Sequence, residues 1–139
     1  MRTAALVLLP LLGGCAEDPY LISGFWQGAV NCGANPRMAM NLEFIPTEDE
    51  LEFVSDARLT VGDQQLLFTM EVQYEPFDEG GTAVPLSVDV GDCAWSDGSV
   101  ATCGPATGTL DSVAEEMSGQ YSEFPISPGT CDWSQMKSL

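Results

Sequence analysis

Five cysteines, at positions 15, 32, 93, 103 and 131, are the side chains of this sequence best suited to chemistry. A thiol can be acylated, pair as a disulfide, ligate a metal or attack an electrophile. Attack needs a neighbouring base, and the 139 residues include no histidine, which removes Ser-His-Asp and Cys-His machinery together with every His-ligated metal site. A four-thiolate zinc site wants close C-x-x-C pairs, and no two of the five stand so. What remains is covalent: disulfides, with an odd cysteine left over.

The 21 acidic residues are the other candidates. A carboxylate pair would be needed for glycoside hydrolysis, but nothing singles out two of them. Asp89, Asp92 and Asp97 with Gly98 could gather around calcium, yet they lack EF-hand spacing. Against four basic residues, the acids give a formal charge of −17. Such a surface repels nucleic acid, since binding would add like charge to like and release no counterions. The sequence therefore reads as non-enzymatic, with no cofactor and no metal.

The odd cysteine has a separate explanation. Met1-Arg2 is a minimal positive start, Ala4 to Leu12 is a nine-residue apolar run broken only by Pro10, and Leu12-Gly13-Gly14-Cys15 follows. A membrane-crossing helix needs about 20 apolar residues, so the run has the length of a signal-peptide core. Leu12-Gly13-Gly14-Cys15 resembles the lipobox of bacterial lipoproteins. The resemblance implies cleavage after Gly14, a diacylglyceryl thioether on Cys15 and N-acylation of the new terminus by a palmitate-type chain. Ala16 stands where an aspartate would favour inner-membrane retention, so the outer membrane is the favoured address by the same resemblance. The expected organisation is a signal peptide over 1–14, a lipidated tether over 15–21 and one domain over 22–139. From Cys15 to Leu21 the tether reaches at most about 20 Å, which keeps the domain close to the lipid surface.

Cys32, Cys93, Cys103 and Cys131 then form an even set, read in an exported chain as two disulfides. Turn signals punctuate the domain at short intervals, among them Asn35-Pro36, Gly62-Asp63, Gly91-Asp92, Asp97-Gly98 and Pro128-Gly129. Between them the hydrophobic period is two, as in Met38, Met40, Leu42 and Phe44 or Leu66, Phe68, Met70 and Val72. The pattern predicts an all-β chain of about eight strands, over 22–32, 37–45, 50–61, 65–75, 84–91, 106–111, 116–123 and 131–138. Ser112 to Glu115 also carries a capping-box spacing, but no amphipathic run follows, so a hairpin turn is expected there.

Eight short antiparallel strands fit a single up-and-down β-barrel, which leaves no open edge; a two-sheet sandwich is the alternative. Closure sets the first strand antiparallel to the last. Cys32 ends the first and Cys131 begins the last, so these two are expected to bond at the seam, while Cys93 and Cys103 close the local loop Ala94 to Thr102. With Cys32 opposite Cys131, the register places Val30 against Trp133, Gly28 against Gln135 and Trp26 against Lys137.

Gly24-Phe25-Trp26 resembles the Gly-x-Trp opening of lipocalins and their calycin relatives. In that group the tryptophan closes one barrel end beneath a basic side chain from the last strand. The resemblance makes Trp26 and Lys137 the barrel-closing pair. The three tryptophans are otherwise read as two barrel plugs and a loop aromatic, Trp95, and the methionines as gap fillers. The functional expectation is a lipid-anchored binding module of the cell envelope, partnered by the membrane through Cys15 and by a small apolar ligand or a protein. The alternatives are a periplasmic inhibitor of lysozyme or a metalloprotease acting through the Ala94–Thr102 loop, and a purely structural surface lipoprotein.

Overall fold

A computed structural model describes residues 21–49, 51–74 and 83–138. Cys15, the segment 1–14 expected to be a signal peptide and all of the expected tether except Leu21 lie outside the described residues. The strands are β1 Gly24–Asn31, β2 Met38–Pro46, β3 Glu52–Val61, β4 Gln64–Tyr74, β5 Ala83–Trp95, β6 Ala106–Asp111, β7 Glu116–Tyr121 and β8 Cys131–Lys137. Each pairs antiparallel with the next and β8 closes on β1, giving a closed eight-stranded barrel. Alternation dictates this arrangement. In β2 every second residue, from Met38 to Phe44, is buried and its neighbours are exposed, so one face must enclose a core.

The β1–β8 seam has the register expected from the cysteines: Val30 pairs with Trp133, Gly28 with Gln135 and Trp26 with Lys137. The turn at Ser112–Glu115 is a hairpin in which Asp111 Oδ1 accepts hydrogen bonds from the amides of Val113 and Ala114, both at 3.0 Å. That side chain satisfies the turn's donors, and no helix is needed to do so.

Two expectations are corrected. Gly91-Asp92 does not end the fifth strand. The register slips by one residue between Leu67 and Thr69, Asp92 adopts a positive φ of 55°, and β5 runs on to Trp95. A β-bulge takes up the extra residue and lets pairing resume. Consequently Ala94 and Trp95 belong to the strand, Ala94 bridges Val100, and the free part of the stapled segment shrinks to a hairpin around Ser96–Ser99. Trp95 is half-buried against the core rather than a loop aromatic.

The ladders differ in length. β3 and β4 pair over ten positions, whereas β2 and β3 pair only at Ile45–Val54 and Pro46–Phe53. Further along, the Glu43 amide donates to the Ser55 hydroxyl at 3.0 Å instead of to a facing carbonyl. This seam is expected to open first: in native-state hydrogen exchange the amides of Asn41 and Arg58 should exchange faster than those of Met70 and Val72. Equal protection of both sets would contradict it.

Candidate functional site

The barrel interior is the first place to look for a binding site, and its own side chains fill it. Val30, Met40, Leu59, Leu66, Met70, Val72, Val84, Met117 and Tyr121 have 0% of their surface exposed, so no water-sized void touches any of them. Around Tyr121 the packing is aromatic and thioether in character. Its ring stacks on Phe124 at 4.5 Å and lies edge-on to Phe68 at 5.8 Å. The hydroxyl donates to Met70 Sδ at 3.0 Å, with Met40 Sδ at 3.6 Å. Soft sulfur atoms fill the gaps and give the phenol a weak acceptor.

Burial pushes the Tyr121 phenol far above its ordinary value of 10.0. A phenol held neutral in the folded chain contributes its full stability below the unfolded value, and that contribution falls as pH rises past about 10, where only the unfolded chain ionises. A Tyr121→Phe variant should therefore lose less stability between pH 9 and pH 11 than the parent in urea titrations. Parallel loss in both would rule this out.

Both barrel ends are shut. At the end where the described chain begins, Ile22 is fully buried and accepts a hydrogen bond from Trp26 Nε1 at 2.7 Å through its carbonyl. Lys137 Nζ sits 5.2 Å from the centre of the Trp26 ring and donates to the carbonyls of Leu21 and Ser23. The sequence placed Trp26 and Lys137 together, but the pinning of the incoming chain by those two carbonyls had no signal in it. Replacing Lys137 by methionine keeps the aliphatic stem while removing the cation and three donors. The expected loss is about 1–2 kcal/mol in urea unfolding, because the cation–π contact and the charge-assisted hydrogen bonds lie at a partly exposed rim where solvent weakens them; an unchanged midpoint would refute it.

The opposite end is plugged by the β7–β8 connection, which inserts Phe124 and Ile126 into the core. Asn35 Nδ2 donates to the carbonyls of Cys32, at 2.7 Å, and Ser127, tying the β1–β2 turn to this plug. Both disulfides lie at this end. Cys32 is bonded to Cys131 with both residues fully buried, and Cys93 to Cys103 across a separation of 10. Beyond the second bridge the hairpin turn is ordered by Asp97, whose Oδ1 accepts from the Ser99 amide at 2.8 Å and hydroxyl at 2.6 Å. Those bonds hold the Asp97 carboxyl below its usual range. Asp97 is thus engaged in its own turn, and among the described residues no three Cys, Asp or Glu side chains gather as a metal site. Val100, beside this turn, is 87% exposed.

The fold and these closed ends define a small all-β protein, a closed antiparallel eight-stranded barrel with a packed interior. No family model and no curated protein matches the sequence. Among solved structures the chain is similar to a redesigned β-barrel, at a TM-score of 0.52 and 12% identity over 86% of this chain and 93% of that one. A de novo designed fluorescence-activating β-barrel aligns at a TM-score of 0.47 with 12% identity, covering 84% of this chain and 94% of the design. At such identities the likeness concerns the fold alone.

Proposed function

We propose that the chain is an exported, lipid-anchored protein of the bacterial cell envelope, favouring the outer membrane, and acts as a non-enzymatic binding module through the disulfide-bonded rim of a solid barrel. The sequence Leu12-Gly13-Gly14-Cys15 supports the anchor. Two disulfides among the remaining cysteines fit an oxidising compartment. Trp26 beneath Lys137 supports kinship with lipocalin-like barrels.

The observation that carries the surface assignment is the filled interior. An eight-stranded barrel is just wide enough either to be packed by side chains or to hold one small ligand. A small apolar ligand would here have to displace Met40, Met70 and Tyr121 from contacts they already make. Partner binding therefore falls to the outer surface, and to a protein in preference to a small molecule. The rim opposite the N-terminal end offers a covalently stapled candidate: a short hairpin closed by Cys93–Cys103 with Val100 projecting. Preorganisation of this kind reduces the entropy lost on binding.

The strong negative charge favours a cationic target, which keeps inhibition of a basic hydrolase such as lysozyme as the specific form of the reading. Calorimetry of the purified, processed protein against lysozyme tests it. The expected result is salt-sensitive binding at micromolar strength or better that is weakened about ten-fold or more by Val100→Asp. Saturable uptake of a fluorescent fatty acid, with no binding of basic hydrolases, would overturn the surface assignment.

A further inference from the structure

Six large hydrophobic side chains are exposed among the described residues, and five of them belong to the barrel end at which the described chain begins. Leu21 precedes β1 and Phe25 is its second residue. Ile45 lies at the close of β2, Met136 is the penultimate residue of β8, and Val113 is in the β6–β7 turn. Since β6, β7, β8, β1 and β2 are consecutive around the barrel, the five residues occupy one continuous arc of the rim. Exposed outward positions along the strands are otherwise polar or small, as Asn41, Thr107, Ser118 and Ser134 show, and the outward Val54 and Leu67 are partly covered. Only Val100 stands at the other end.

From this arc we propose that the Trp26–Lys137 end is a bilayer-facing surface, with Leu21, Phe25, Ile45, Val113 and Met136 seated in the headgroup region of the membrane that carries the anchor. The inference rests on the lipid-anchor reading above. Five residues separate Cys15 from Leu21, so the reach is about 20 Å, whereas an eleven-residue strand such as β4 is about 35 Å long. A tether that short brings the near end of the barrel to the lipid and cannot wrap to the far end. The arc also carries the carboxylates of Glu43, Glu115 and Glu116, which disfavour an anionic leaflet and fit a zwitterionic one. The orientation turns the Cys93–Cys103 hairpin away from the membrane, where a protein partner can reach it.

The test uses the full chain, expressed and processed in a bacterium, with benzoylphenylalanine placed at Phe25 or at Val100. Each protein is reconstituted in vesicles of phosphatidylcholine and phosphatidylethanolamine, irradiated, and measured by intact mass. Lipid adducts are expected about ten-fold more often from position 25 than from position 100. With the probe at Val113, the triple variant F25S/I45S/M136S should lose most of its adducts at an unchanged melting temperature, because all three side chains point outward. Equal adducts at both positions, or adducts from position 25 to a second protein chain, would overturn the proposal. The same spectra report the diacylglyceryl on Cys15. A lipidated chain without adducts defeats the bilayer-facing rim and leaves the anchor standing, whereas an unlipidated chain defeats the anchor reading and this inference with it.

Discussion

Replacing Cys32 and Cys131 together by alanine should lower the thermal midpoint by about 15 °C, the largest change expected from any pair of side chains here. The bridge joins residues 99 apart, nearly the whole length of the barrel domain. By chain entropy, closing a loop of that size removes about 4.7 kcal/mol of freedom from the unfolded chain, against about 3 kcal/mol for a loop the size of Cys93–Cys103. Domains of this size are stable by about 5–15 kcal/mol in total, so the long bridge alone accounts for a large share. It also lies where the barrel shuts. Without it, closing β8 on β1 brings together the two ends of the fold against the full entropy of the intervening chain. The check is calorimetry of the double variant beside Cys93→Ala/Cys103→Ala. If the two pairs shift the midpoint equally, loop length is not what stabilises the seam.

That seam was legible because the residues on either side of it carry chemistry. Period-two alternation located all eight strands to within a few residues, and the cysteines at 32 and 131 then set a register that placed Lys137 on Trp26. The features that escaped the sequence depend on quantities it does not display. Gly91-Asp92 has the composition of a turn, and only the pairing of Leu67 with Ala94 makes it a bulge. The stretch from Phe124 to Gly129 holds two prolines and reads as connection, yet it supplies Phe124 and Ile126 to the core, because the barrel end needs apolar volume and this segment is the one in reach. Whether the interior is hollow is a question of summed side-chain volume, which alternation leaves open. The exposed arc is hidden for the opposite reason: Phe25, Ile45 and Met136 stand at outward positions of otherwise regular strands, and a one-dimensional reading sees only more hydrophobic residues.

The glycines on one flank of the barrel are the clearest case of a residue type whose need appears only in three dimensions. Gly119 lies opposite Trp133 across the β7–β8 ladder and opposite Gly108 across β6–β7. The indole of Trp133 lies across both positions and donates from Nε1 to the Thr107 carbonyl at 3.1 Å. A Cβ on Gly119 would fall 1.8 Å from that same carbonyl oxygen and 2.8 Å from the indole nitrogen. The first contact is with backbone of a paired strand and cannot be relieved by turning a side chain. Gly119→Ala must therefore separate β6 from β7 or expel Trp133, one of the largest buried side chains. The expected cost is at least about 3 kcal/mol, the range of severe overpacking, read as a lowered urea midpoint and blue-shifted tryptophan fluorescence lost at lower denaturant. Gly91 is the matching control: nothing lies within 4 Å of the Cβ it would gain, so Gly91→Ala should leave the midpoint within about 0.5 kcal/mol of the parent. If both alanine variants unfold alike, close backbone approach at the Trp133 flank is not what requires glycine there.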